Sequence, residues 1–246
     1  MFGAYQAGAW RALETAFRPA AVVGASVGAL NGWAIAGGAS GRQLVEQWLD
    51  PATGAILKMQ VPCPPWRGLF CAESLAEAVR LLFSSYNPQI PFAGTAVDLL
   101  RLREVLFRGE EMTWRHLLAM CSILGGSAPV KLQARWYVDG GLLSVLPLWA
   151  AAELGYSHVI AVNALPEMPS RTVRAAVGTI RWFSRRADRI IPLHVWMVSP
   201  GQALGSVRDS VIWSTENARR WIERGQRDAE SLLRTFERSA LPEAFV

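Results

Sequence analysis

The stretch that most constrains the fold is Ala20-Ala21-Val22-Val23-Gly24-Ala25-Ser26-Val27-Gly28-Ala29-Leu30-Asn31-Gly32. A short apolar run passes through a serine bracketed by glycines into a segment of small residues with helical spacing. That change of period fits a buried strand turning directly into a helix. The G-x-S-x-G pattern has a steric reading. A tight turn lifts the Ser26 hydroxyl clear of the backbone, and side chains at Gly24 and Gly28 would press on the neighbouring strand and helix. The pentapeptide alone is a modest signal, because the chain holds 21 glycines and a helix-packing turn can also produce it.

A second pattern lies far downstream. Arg135-Trp136-Tyr137-Val138 is an aromatic and β-branched run that reads as a strand, and it ends on Asp139-Gly140-Gly141, which places a carboxylate where a strand gives way to a loop. In open α/β sheets that edge is where ligands bind. An Asp-Gly turn with no chemical role is the plainer reading of the same residues.

The remaining segments alternate helix and strand. Helices are expected at 4–17, 27–36, 43–49, 72–83, 112–122 and 146–154, and strands at 91–98 and 158–162, with a long apolar loop over 50–70. The length of 246 residues suits one α/β domain, with a motif-bearing core over 1–165 and helices plus a last strand over 166–246. Residues 19–39 are nearly all apolar or small, yet their glycines, Ser26 and Asn31 fit strand–turn–helix better than a membrane span. Cys63, Cys71 and Cys121 show no metal-binding spacing and read as free thiols, a 63–71 disulfide being the minor alternative. The net charge of +5 comes without a recognisable nucleic-acid-binding module, so a nucleic-acid partner is not expected.

Taken in order, several blocks resemble the patatin-like phospholipase family: G-A-S-V-G-A-L-N at 24–31, D-G-G-L-L-S-V-L-P at 139–147, and A-A-E-L-G-Y-S-H-V-I-A-V at 151–162. The opening F-G-A-Y-Q-A-G-A-W-R-A-L at 2–13 is similar to the helix that follows the family's glycine-rich loop, and 214–229 is similar to its closing helix. The resemblance implies a three-layer α/β sandwich with a mainly parallel central sheet. It also implies a lipid acyl hydrolase that uses a Ser–Asp dyad, with Ser26 as nucleophile and Asp139 as its base, and needs no metal or cofactor. Its substrate would be a phospholipid or another lipid ester. The family's oxyanion loop is of the type G-G-G-x-R-G, of which only Gly3 stands here, with Phe2 at the usual basic position. A start downstream of the full loop is therefore expected, and the alternative is a catalytically impaired relative that binds lipid or a partner. Ser144 and Val145 stand where the family has asparagines, and Gly126 lies near a usual proline.

Two further features compete for attention. His116, His158 and His194 make a Ser–His–Asp triad formally possible, though structural roles are the plainer reading of all three. Over Arg171–Ile190, apolar residues gather at helical spacing opposite a row of arginines, which reads as a surface helix or as a peripheral contact with anionic membrane. A cytoplasmic protein, peripheral at the membrane in the second case, is the matching expectation of location.

Overall fold

The computed structural model describes residues 1–56, 69–109, 111–166, 177–180, 184 and 193–239. Its helices are α1 (Gly3–Leu13), α2 (Val27–Ala36), α3 (Gly41–Leu49), α4 (Ala72–Ser85), α5 (Trp114–Met120), α6 (Leu148–Glu153), α7 (Val207–Val211) and α8 (Thr215–Ser239). Its strands are β1 (Val22–Ala25), β2 (Phe92–Asp98), β3 (Arg103–Arg108), β4 (Val130–Leu132), β5 (Arg135–Asp139), β6 (His158–Val162) and β7 (His194–Val198). The expected α/β class is what the chain forms. Most of the Arg171–Ile190 segment, much of the 50–70 loop and Cys63 lie outside the described residues.

The sheet directions are more mixed than a mainly parallel sheet. β2, buried along its whole length, is the hub. β3 pairs antiparallel with it over residues 93–98, which fills one edge. The other edge is shared: β1 runs parallel over 92–95, and β5 runs antiparallel over 96–98. β4 extends β5 antiparallel, while β6 and β7 form a separate parallel pair. Connection length accounts for the departure. Only four residues join β2 to β3 and two join β4 to β5, and loops that short reverse the chain into antiparallel partners. β3 and β4 were not anticipated because neither shows a clean period, one being half-buried along its middle and the other three residues long.

Two cores hold the elements together. One gathers α1, α3 and α8 with residues of β6 and β7. Its tightest contact is between α1 and α8: a Cβ on Gly8 would lie 2.0 Å from the Ile222 carbonyl oxygen, and one on Gly225 would lie 2.0 Å from that of Tyr5. Only glycine permits two helix backbones to meet so closely. The second core packs α2, α4 and α5 on β2, β4 and β5, with Trp33 stacked on Phe83 and edge-on to Phe92. Residues 22–36, within the most apolar stretch, form β1 and α2 as expected, and no helix among the described residues is long and apolar enough to cross a membrane.

Candidate active site

The register on β2 brings the two sequence patterns together. β1 runs up the shared edge until Ala25 pairs with Thr95, and β5 runs down it until Asp139 pairs with Ala96. Their C-terminal ends therefore meet head to head, and the next residues of both chains are released at one point. There the Ser26 hydroxyl donates to Asp139 Oδ2 at 2.5 Å, across 113 positions of sequence.

Ser26 sits in a strained conformation at φ 54°, ψ −136°. Such a backbone costs of order 1–3 kcal/mol in a non-glycine residue and persists only where the surroundings enforce it. Here they do so on both sides of the residue. The Ser26 N–H donates to the Met120 carbonyl at 3.2 Å, and its own carbonyl accepts from the Ala29 N–H at 2.8 Å and from the Cys121 thiol at 3.1 Å. Ser26 also occupies the N-cap position of α2 without capping it, because its hydroxyl is committed to Asp139. The Val27 and Gly28 N–H groups, which begin α2 and immediately follow the serine, have no acceptor within the helix.

The two elbow glycines differ in purpose. A Cβ on Gly24 would stand 2.4 Å from the Gly28 carbonyl oxygen, so crowding by the helix excludes a side chain there, as expected. At Gly28 the expected collision is absent, since an added Cβ meets only the Gln6 side chain, at 3.3 Å. Gly140 is the tighter requirement on the other strand. A Cβ there would lie 2.4 Å from the Thr95 carbonyl oxygen and 2.5 Å from its hydroxyl. Gly141 is freer in space, but its N–H donates to Asp139 Oδ1 at 2.7 Å.

Asp139 is 6% exposed, and its two oxygens are engaged by Ser26 and Gly141. Burial pushes its pKa up to about 6, against the opposing pull of those two hydrogen bonds. A carboxylate so placed is a stronger base than one in water, and it already holds the hydroxyl it would deprotonate. Its backbone N–H donates to the Ser122 carbonyl at 2.9 Å, so residues 120–122 brace both halves of the pair. Sequence reasoning missed that brace, and no pattern in Met-Cys-Ser marks it.

Gly3 lies against the elbow helix: a Cβ there would fall 2.4 Å from a Val27 methyl group and 2.3 Å from the Trp48 ring. Asn31, 7% exposed, donates to the Gly3 carbonyl at 3.0 Å and to Gln6 Oε1 at 2.9 Å, and accepts from Trp48 Nε1 at 3.0 Å. An asparagine inside an otherwise apolar helix was the available signal, for its amide ties α1, α2 and α3 at one point. Phe2 turns away into the core, edge-on to Trp221 with ring centroids 5.0 Å apart. Gly126, near the family's usual proline, is held open by the Phe70 ring, 2.8 Å from where a Cβ would stand.

No histidine joins the pair. His116 Nδ1 accepts from the Thr113 N–H at 3.0 Å. His158 and His194 stack on each other with centroids 5.0 Å apart. No group of three or more metal-binding side chains occurs among the described residues.

With this geometry in place, comparison with known proteins finds a match to the family model described as patatin-like phospholipase over residues 1–152. Curated relatives include two proteins named as uncharacterized NTE family proteins, from Mycobacterium tuberculosis and Mycobacterium bovis. Each is 30% identical over 172 residues, which is 67% of this chain and 46% of the relative. The chain thus spans about half the length of the curated relatives it matches.

Proposed function

This chain belongs to the patatin-like phospholipase family, and from that premise we propose that it hydrolyses lipid esters through an acyl-enzyme on Ser26, with Asp139 as general base. The observation that carries the reading is the 2.5 Å bond from the Ser26 hydroxyl to a buried carboxylate whose pKa is raised to about 6. As Ser26 Oγ attacks the acyl carbonyl, its proton passes to Asp139 Oδ2. The tetrahedral intermediate collapses, and the leaving alcohol takes that proton. Water then gives a proton to Asp139 as its oxygen attacks the acyl-enzyme, and collapse returns the proton to Ser26 while releasing the carboxylic acid. We assign stabilisation of the oxyanion to the first N–H groups of α2 and to the α1 start at Gly3. Each such donor contributes on the order of 10²–10³ in rate.

A specific observation favours a second reading. Phe2, at the position where the family usually has a basic residue, is buried edge-on against Trp221, which suits a family member that binds lipid or a partner without turnover. Labelling by a fluorophosphonate probe together with p-nitrophenyl ester hydrolysis separates the two. Labelling and hydrolysis that vanish in Ser26→Ala support the hydrolase. A folded chain that neither labels nor hydrolyses overturns it in favour of the binding role.

A further inference from the structure

A cavity of about 550 Å³ opens at the far end of β5 from Asp139, between β3, α5 and the β4–β5 hairpin, walled by Phe107 and Tyr137 and edged by Arg115, His116, Lys131 and Gln133. This volume is in the range of small-molecule sites. A neighbouring cavity of about 180 Å³ shares Phe107, Glu111 and His116 and adds Arg108. Arg108 and Arg115 thus stand beside one carboxylate, Glu111, in the described lining, and Lys131 borders it with its ammonium turned to Trp136 on the hairpin face opposite Tyr137.

The polar groups are held in place. Arg115 donates to the Lys131 carbonyl at 2.8 Å, and the Lys131 ammonium lies 5.8 Å from the centre of the Trp136 ring. Because His116 Nδ1 accepts from a backbone N–H, the neutral ring carries its hydrogen on Nε2 and is a second donor class beside the cations. Phe107 meets both His116 and Tyr137 edge-on, at 4.8 and 5.2 Å. The turn supplies an independent sign. Gln133 takes φ 51° at the first of the two hairpin residues, a position where such a turn favours glycine. A glutamine in this left-handed conformation occupies the turn and lines the cavity.

We propose that this cavity is a second ligand site, separate from the Ser26–Asp139 pair, for an organic anion. An apolar body would lie against Phe107 and Tyr137, and a carboxylate or phosphate would pair with Arg115, with His116 Nε2 as a further donor. The shared chemistry covers a fatty carboxylate and a phosphorylated head group. Isothermal titration of the Ser26→Ala chain with decanoate, decyl phosphate, decanol and inorganic phosphate tests it without turnover at the serine. The expected result is one-to-one binding of decanoate or decyl phosphate, the tighter of them identifying the source, with decanol and inorganic phosphate each at least about tenfold weaker. In Arg115→Glu the affinity falls by about tenfold or more while ester hydrolysis, measured with Ser26 restored, stays within about twofold. Gln133→Gly relieves the turn and is expected to raise the melting temperature by about 2–4 °C while weakening the anion several-fold. Binding that persists unchanged in Arg115→Glu overturns the site, as does the absence of binding by both anions. Inorganic phosphate binding as tightly as decyl phosphate overturns the apolar half.

Discussion

One strand, β5, ends in two contrasting environments. At its C-terminal end Asp139 is buried, both carboxylate oxygens are engaged, and the next residue leaves no room for a methyl group. At its N-terminal end Arg135 and Trp136 are exposed, Gln133 is strained in a two-residue turn, and cations rim an open cavity. Tyr137 and Asp139 stand on the same face of the strand, two residues apart, so the contrast is not one of distance. It is one of enclosure. At the closed end the surrounding backbone decides how a carboxylate ionises and where a hydroxyl points. At the open end the side chains stand within reach of solvent and depend on solution conditions.

The comparison breaks most visibly at the closed end. Replacing Ser26 by alanine is expected to lower ester hydrolysis by about 10⁴-fold or more, read in steady-state assays, with the fold intact by circular dichroism. Asp139→Asn keeps the shape but removes the base, and a loss of about 10²–10⁴-fold in kcat is expected. The pH profile sharpens the same point. With Asp139 as the proposed base, kcat/KM is expected to rise through pH about 6 and level off above it, following the raised pKa of Asp139.

Stability carries the opposite sign. The Asp139 pKa moves from 3.8 to about 6 on folding, so between those values the folded chain binds more protons than the unfolded one. Its stability therefore falls as pH rises through that window. Asp139→Asn escapes that loss, although its amide oxygen replaces only one of the two accepting oxygens. A gain on the order of 1 kcal/mol at pH 7.5 is expected in denaturant melts, shrinking as pH approaches 4.

Smaller effects grade the glycines. Gly140→Ala forces Cβ onto the Thr95 backbone and is expected to cost about 2–3 kcal/mol together with most of the activity, since Asp139 must shift. Gly28→Ala meets only the movable Gln6 amide, and a change within about 1 kcal/mol is expected in the same melts. A Gly28→Ala loss equal to that of Gly140→Ala would show that the elbow is closed on both sides.

Much of this was legible without coordinates. The elbow at Gly24–Gly28, the strand that ends at Asp139 and the helices that flank them follow from local pattern: glycine brackets a turn, and β-branched and aromatic runs make strands. β3 and β4 were not legible, because short half-buried strands have too few residues to show a period. Nor was the divided edge of β2, since pairing partners distant in sequence leave no local trace.

The sequence by itself therefore determined the candidate pair, Ser26 and Asp139, and that each sits at the mouth of a strand. Tertiary structure alone decided that β1 and β5 run toward each other on one edge of β2, which closes 113 positions to 2.5 Å. It also decided that the carboxylate is buried where it arrives. The reason is physical: conformation at a turn depends on neighbours in the chain, whereas proximity and desolvation depend on packing between elements that local sequence does not encode.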